Sequence, residues 1–209
     1  MTAPFSRLAG PLLLARSRAV PLTVTSLAAV TVLAAWAAYG LDAHLDSRRL
    51  VPVVALAPLM AAALIGTGLH SPMEELERAA VRPWWPRRLV QSAGLAAFAS
   101  ALLAVAVVAD DDGTFGPPAM VRNTLGAVGI TAAAAAVIGA RLSWLPAFAY
   151  LSAVYLGAPR THGGAAQIWA WPMQSGDLPG AWATALAAFV LGVTFHACRG
   201  PRPTGGTAA

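Results

Sequence analysis

The sequence contains no lysine, a single cysteine and few charges of either sign. Charged residues make up 11% of the 209 residues, whereas a soluble domain carries about 25%. Fourteen arginines and nine acidic residues cannot cover the surface of a water-exposed body of 21.4 kDa. This shortage excludes a soluble enzyme and a disordered chain, and the single Cys198 excludes an internal disulfide framework.

The sequence is instead rich in long runs of apolar residues. Apolar residues make up 57% of the chain, and the mean hydropathy is +0.63. Because a helix needs about 20 residues to cross the hydrocarbon core of a bilayer, six runs are predicted to span a membrane. They are Leu22–Tyr39, Leu50–Leu69, Leu89–Ala109, Ala119–Ala140, Leu142–Ala158 and Ala181–Ala197. The sequence therefore predicts an all-α, polytopic membrane helix bundle with six transmembrane helices.

The fourth and fifth predicted spans depart from a purely apolar pattern. The fifth is short and contains Pro146, and a tight helical hairpin around Arg141 is predicted to join it to the fourth. The fourth contains Arg122 and Asn123, a candidate intramembrane polar site that would line a substrate path or bind outer-loop carboxylates such as Asp112. The alternative is that Arg122 is an anchor whose side chain snorkels to the nearby interface.

The arginines predict the orientation of the chain. With the N-terminus inside, ten arginines lie on the cytoplasmic side and four on the other, as the positive-inside rule requires. Residues 1–19 form a basic leader, either a short interfacial helix or a disordered segment, residues 20–198 the transmembrane domain, and residues 199–209 a disordered cytoplasmic tail. The first run is too long for a signal peptide, so we expect an uncleaved span.

The composition also indicates where the protein works. The all-arginine, alanine-rich composition is typical of high-GC bacterial coding, so we expect a multi-pass protein of the bacterial cytoplasmic membrane. The net charge of +5 and the pI of about 10.6 are also found in nucleic-acid-binding proteins. Here the arginines flank apolar runs, so we expect contact with membrane lipid and no nucleic-acid partner.

Small residues recur at four-residue spacing in the fourth span. Gly129, Ala133 and Val137 form one such stripe, and Ala132 and Ala136 belong to a second. Stacked small side chains let helix backbones approach closely, which favours a tight bundle or a dimer face. The alternative is that an alanine-rich sequence produces such stripes by chance.

The connection between the second and third spans is predicted to hold a helix over 71–82. Ser71 and Glu74 have capping-box spacing, and Pro72 fits the first helical position. Glu74 and Arg78 form a favourable pair four residues apart. The exposed face of this helix is the candidate docking surface for a protein partner, and its residues are Glu74, Glu75, Arg78 and Arg82. The alternative is a capped loop helix with no partner.

These features together resemble a permease subunit of the type-2 ABC exporter family, and also small actinobacterial membrane proteins associated with ABC transporters. The features are six spans, two cytoplasmic ends, the basic leader, the capped helix at 71–82 and the outer loop 159–180 with Trp169–Gln174. The resemblance implies that the leader is an elbow helix and that the loop helix couples to a separate ATPase subunit. It further implies re-entrant pieces in the outer loop and a homo- or heterodimer.

No catalytic, cofactor-binding or metal-binding residues are predicted. The chain has no G-x-x-x-x-G-K-[ST] loop, so ATP would be bound by another polypeptide. The run Glu74–Arg78 is one residue too short for the motif of intramembrane CAAX-type proteases, and the four histidines are scattered. We therefore expect no enzymatic activity. The alternative function is a non-transporting membrane scaffold or immunity-like protein.

Overall fold

The computed structural model describes residues 20–40, 51–69, 84–108, 115–157 and 164–200. These parts of the chain contain seven α-helices, two 3-10 turns and no strands. The helices are α1 (Val20–Gly40), α2 (Val51–Gly68), α3 (Trp85–Ala106), α4 (Pro117–Ile138), α5 (Trp144–Gly157), α6 (Ala166–Trp169) and α7 (Pro179–Arg199). The 3-10 turns are Ala140–Leu142 and Trp171–Met173.

Five helices, α1, α2, α3, α4 and α7, are long and apolar enough to cross a membrane. They coincide with five of the six predicted spans. The largest difference is at α3, which begins at Trp85 instead of Leu89, with Pro86 in its first turn, where no amide hydrogen is needed.

The remaining predicted span differs from the structure in length. Helix α5 has 14 residues, equivalent to about 21 Å, which is less than the roughly 30 Å of a hydrocarbon core. Leu142 belongs to the 3-10 turn that joins α4 to α5, and Gly139 opens that turn with a positive φ of 92°. Ile130 packs against the cluster of Leu59, Ala147 and Leu151, and α4 and α5 are in contact, so α5 returns along α4 as a hairpin.

Helices α2, α4 and α7 run in the same direction. Near the beginnings of α2 and α4, the Asn123 side-chain amide of α4 donates a hydrogen bond to the Val54 carbonyl of α2. Near their ends, Gly66 of α2 lies against Thr131 of α4. Gly176, just before α7, lies against the start of α4 at Ala119, and the two helices remain in contact beyond it.

The α4–α7 pair makes the most extensive helix contact among the described residues. A Cβ atom on Gly129 would meet the main chain of Ala188, and one on Gly192 would meet the main chain of Gly129. Glycine is therefore required at both positions for the two backbones to approach this closely. Gly129, the first residue of its stripe, thus contributes to packing within one chain.

One end of the bundle carries most of the described arginines. Arg87 and Arg88 open α3, Arg141 lies in the turn after α4, and Arg199 ends α7. The Arg88 guanidinium lies beside Gly200, which places the start of α3 next to the end of α7. We call this the arginine end. Arg122, the fifth arginine in the described ranges, lies towards the opposite end.

The surface and the interior have the distribution expected of a membrane protein. Large apolar side chains on the outside are widely exposed, with Trp36 at 74%, Leu156 at 85% and Leu191 at 70%. Arg122 and Asn123, in contrast, are at most 1% exposed. Soluble proteins bury such apolar groups and rarely expose contiguous apolar surface. Together with the five long apolar helices, this distribution indicates a multi-pass membrane protein.

Candidate functional site

The most unusual element of the fold is the stretch 164–178 between α5 and α7, which we call the inserted segment. It contains α6 and the 3-10 turn at Trp171–Met173. Its second half is not displayed as a surface loop, because Ala170, Trp171, Pro172 and Gln174 are all buried, whereas Ile168 and Trp169 of α6 are exposed. The part around Trp171 therefore occupies space within the bundle at the end opposite the arginine end.

Trp171 anchors the centre of the inserted segment. Its indole stacks on the ring of Tyr150 with centroids 6.0 Å apart and an interplanar angle of 30°. On its other side it lies against Gly126 of α4, where a Cβ atom would overlap the indole ring. The Tyr150 hydroxyl also donates to the Trp169 carbonyl at 2.7 Å. Helices α4 and α5 thus hold the segment from two sides.

The Arg122 side chain binds the end of the inserted segment. It is fully buried, and its Nη1 donates to the Ser175 carbonyl at 2.6 Å and its Nη2 to the Gln174 carbonyl at 2.7 Å. Its Nε donates to Asn123 Oδ1 at 3.2 Å. The Asp177 carboxylate, which accepts from Ser175 Oγ at 2.6 Å, attracts the guanidinium. Charge-assisted bonds of this kind compensate the loss of water around the buried cation.

Asn123 joins three elements at one point. Its Nδ2 donates to the Val54 carbonyl of α2 at 3.1 Å and to the Pro172 carbonyl of the inserted segment at 2.9 Å. Its Oδ1 accepts from Arg122, so both ends of the amide are used. We call Arg122 and Asn123 the polar node. Buried polar groups that are fully bonded fix a single arrangement of the elements they connect.

Two further hydrogen bonds attach the inserted segment to α7. The Trp182 indole Nε1 donates to the Gly176 carbonyl at 2.8 Å, and the Gly180 amide donates to Gln167 Oε1 at 3.1 Å. The start of α7 is therefore bonded to both halves of the segment.

The residues predicted from the sequence fall into two groups. Arg122 and Asn123 lie together as the polar node, and the Arg122 guanidinium points into the bundle instead of snorkelling to a surface. Asp112, named as a carboxylate partner, lies outside the described residues; among those described, the Asp177 carboxylate attracts the Arg122 guanidinium. The docking residues Glu74, Glu75, Arg78 and Arg82, the leader 1–19 and the tail beyond 200 also lie outside the described residues.

The partners of the polar node were not predictable from spacing. Arg122 meets Gln174 and Ser175 across 52 and 53 positions of sequence, and it bonds to their main-chain oxygens. A main-chain acceptor leaves no residue-type signal. Gly126 of α4 lies against Trp171, a contact that the sequence pattern did not predict.

The hydrogen bonds described for this site bind the inserted segment and position it against α4 and α2. The donors described for the polar node are directed at protein oxygens, and among the described residues no three or more His, Cys, Asp or Glu side chains cluster as a metal site would require. Comparisons with protein-family models, curated proteins and solved structures gave no match. The arrangement itself is therefore the basis for a functional interpretation.

We expect Tyr150→Phe to loosen the inserted segment. The change removes the bond to the Trp169 carbonyl while keeping the stacked ring, so the free energy of unfolding should fall by about 1 kcal/mol. Thermal unfolding in mild detergent measures the effect. Tyr155→Phe, on an exposed tyrosine of the same helix, is the matched control and should leave the midpoint unchanged. Equal midpoints for the two variants would contradict the bond's contribution.

Proposed function

We propose that this chain is a permease-like membrane subunit of an ABC-type exporter, which works with a separate ATPase. The observation that carries the proposal is the inserted segment. A partly helical stretch whose centre at Ala170–Pro172 is buried lies between α5 and α7, before the last span, which supports a correspondence to the re-entrant pieces that the resemblance implies. The polar node holds this stretch against α4 and α2, so that a movement of the spans would reach it.

Six crossings of the membrane belong to this proposal. Helices α4 and α7 run in the same direction, so the chain between them must return from one end of the bundle to the other. Helix α5 supplies about 21 Å of that return, and the inserted segment fills the bundle beyond it. A short helix completed by a buried segment supports a sixth crossing. Polar backbone at membrane depth is tolerated where protein buries it.

The proposed orientation puts the arginine end in the cytoplasm. Four of the five described arginines lie there, which is the asymmetry that the positive-inside rule associates with the cytoplasmic side. The connection between α2 and α3 lies at the same end, because α2 finishes and α3 begins there. The helix predicted over 71–82 would then face a cytoplasmic ATPase.

We expect a tagged form of this chain, purified from its own host in mild detergent, to bring an ABC ATPase with it. Charge reversal by Glu74→Lys with Glu75→Lys should release that ATPase, because the proposed contact depends on these carboxylates. Immunoblotting or mass spectrometry of the eluate measures the ratio. The matched reversal, Asp111→Lys with Asp112→Lys in the α3–α4 connection, should leave the ATPase bound. An ATPase retained equally by both double variants would refute the docking surface.

One observation favours the alternative of a non-transporting scaffold. The donors described on Arg122 are all directed at protein oxygens, so this buried cation is committed to the architecture and not offered to a substrate. A scaffold would bind its partner without stimulating any ATPase. Reconstituted vesicles separate the two functions: an exporter subunit raises the ATP hydrolysis rate of its partner ATPase, whereas a scaffold leaves that rate unchanged.

A further inference from the structure

A groove of about 950 Å³ runs along the outside of the bundle where α4, α5 and α7 meet. It is lined by small residues, among them Gly129, Ala133 and Gly192, and by larger ones that include Leu191 and Phe195. The lining is almost entirely apolar. The groove begins near the middle of α4 and continues towards the arginine end.

The length of the groove corresponds to one leaflet of a bilayer. From Gly129 to Ile138, both of which line the groove, α4 rises by about 14 Å, roughly half of a 30 Å hydrocarbon core. On α7 the groove extends to Cys198, at the last turn of the helix. An extended acyl chain from the leaflet at the arginine end fits these limits.

Two exposed arginines closely follow, along the chain, residues that line the groove at the arginine end. Arg199 directly follows Cys198, and its guanidinium carbon sits 4.9 Å from the centroid of the Phe195 ring, so the cation lies beside a side chain that lines the groove. Arg141 lies three residues beyond Ile138 in the turn between α4 and α5. Asp177, the sole acidic residue in the described ranges, is at the opposite end of the bundle. The groove is therefore apolar along its length and cationic where phospholipid headgroups lie.

We propose that this groove binds one anionic phospholipid, with an acyl chain against the small residues of α4 and α7 and the phosphate at Arg141 and Arg199. Cations at the headgroup level attract anionic lipids, and basic pockets between helices bind such headgroups. The apolar lining of the groove would retain an acyl chain, and the two arginines would select a lipid with an anionic headgroup.

A second copy of the chain is a poorer occupant of the same groove. Two copies related by a twofold axis along the membrane normal would place Arg141 and Arg199 of each copy at one level. The like charges would repel each other across such a contact. A dimer would therefore use another face, and the groove would stay open to lipid.

Native mass spectrometry of the full-length, delipidated chain tests the proposal with phosphatidylglycerol and phosphatidylcholine of identical acyl chains. We expect one phosphatidylglycerol to be retained about tenfold more than phosphatidylcholine, since each arginine near an anionic headgroup adds a several-fold preference. Glycerol phosphate without acyl chains should not displace it, because the groove contributes the apolar contact. Equal retention of the two lipids, or displacement by glycerol phosphate alone, would overturn the proposal.

Substitutions at the two arginines and in the groove test where the lipid binds. Arg141→Gln with Arg199→Gln should reduce phosphatidylglycerol retention to that of phosphatidylcholine. Arg87→Gln, an exposed arginine at the same end on α3, is the matched control and should preserve the preference. Ala133→Leu, which fills the groove, should lower retention of both lipids. A preference that survives the double variant, or that is lost equally in Arg87→Gln, would place the lipid elsewhere and overturn the proposal.

Discussion

Gly192→Ala is expected to lower the free energy of unfolding by about 3 kcal/mol, although it adds a single methyl group. The new Cβ would overlap the main chain of Gly129 on α4, and neither backbone can move aside as a flexible side chain could. The two helices would have to separate along the most extensive contact in the described structure. Close backbone approach is also what gives helices dispersion contact that lipid does not provide.

Gly94→Ala is the matched control for this prediction. Gly94 lies in α3 with nothing within 4 Å of a Cβ atom at its position. Replacing an unhindered helical glycine removes conformational freedom from the unfolded chain, so this variant should gain about 0.5–1 kcal/mol. Unfolding by SDS in mixed micelles, followed by circular dichroism, measures both. Opposite signs are expected, and a Gly192→Ala variant as stable as the unchanged chain would show that α4 and α7 are not packed this closely.

Arg122→Leu is expected to destabilise the fold by about 3–4 kcal/mol and to release the inserted segment. The substitution leaves the carbonyls of Gln174 and Ser175 buried without their donors, and each unpaired buried acceptor costs about 1–3 kcal/mol. Arg122→Lys should recover only part of the loss, because an ammonium cannot reproduce the planar fork that reaches two carbonyls. The same SDS titration measures both variants.

Arg141→Leu provides the comparison for Arg122→Leu. It removes an exposed arginine from the turn after α4, where the structure describes no buried partner, and should change stability by no more than about 0.5 kcal/mol. Limited proteolysis of the inserted segment gives a second measurement, because its release should expose Gln174–Leu178 to cleavage in Arg122→Leu alone. Equal stability losses in the two variants would mean that the polar node does not hold the segment.

The sequence was sufficient to predict the helices because lipid imposes a simple condition. Five apolar runs of the necessary length coincide with α1, α2, α3, α4 and α7, and the shortage of charge identifies the surrounding solvent. The fifth run was predicted as a span, yet its helix ends at Gly157 after 14 residues. Hydropathy alone does not show where a helix within an apolar run begins and ends, because an apolar residue such as Leu142 can belong to the turn that precedes the helix.

The polar node shows which part of a site the sequence can provide. Arg122 and Asn123 were recognisable because a charge and an amide inside an apolar run are costly unless something compensates them. Their partners were not recognisable, because Gln174, Ser175, Pro172 and Val54 contribute main-chain oxygens that every residue possesses. Only the three-dimensional path of the inserted segment brings those oxygens to α4.

The roles of the small residues on α4 were equally difficult to predict, because they depend on which helix packs against them. The spacing of Gly129 and Ala133 indicated close packing but not the identity of the partner helix. The structure places Gly129 against α7, while Ala133 faces the external groove. The four-residue spacing thus identified a row of small residues on α4. The structure shows that one part of this row contacts α7 and that another part lines the external groove.

Cysteine accessibility in intact cells tests most directly the proposed crossing of a bilayer with the arginine end in the cytoplasm. In a Cys198→Ala background, a cysteine replacing Asp111, in the connection between α3 and α4, should react with a membrane-impermeant maleimide added outside. A cysteine replacing Arg141 should react only after the membrane is permeabilised. Labelling of both positions from outside, or recovery of the chain in the aqueous fraction after lysis, would contradict the account.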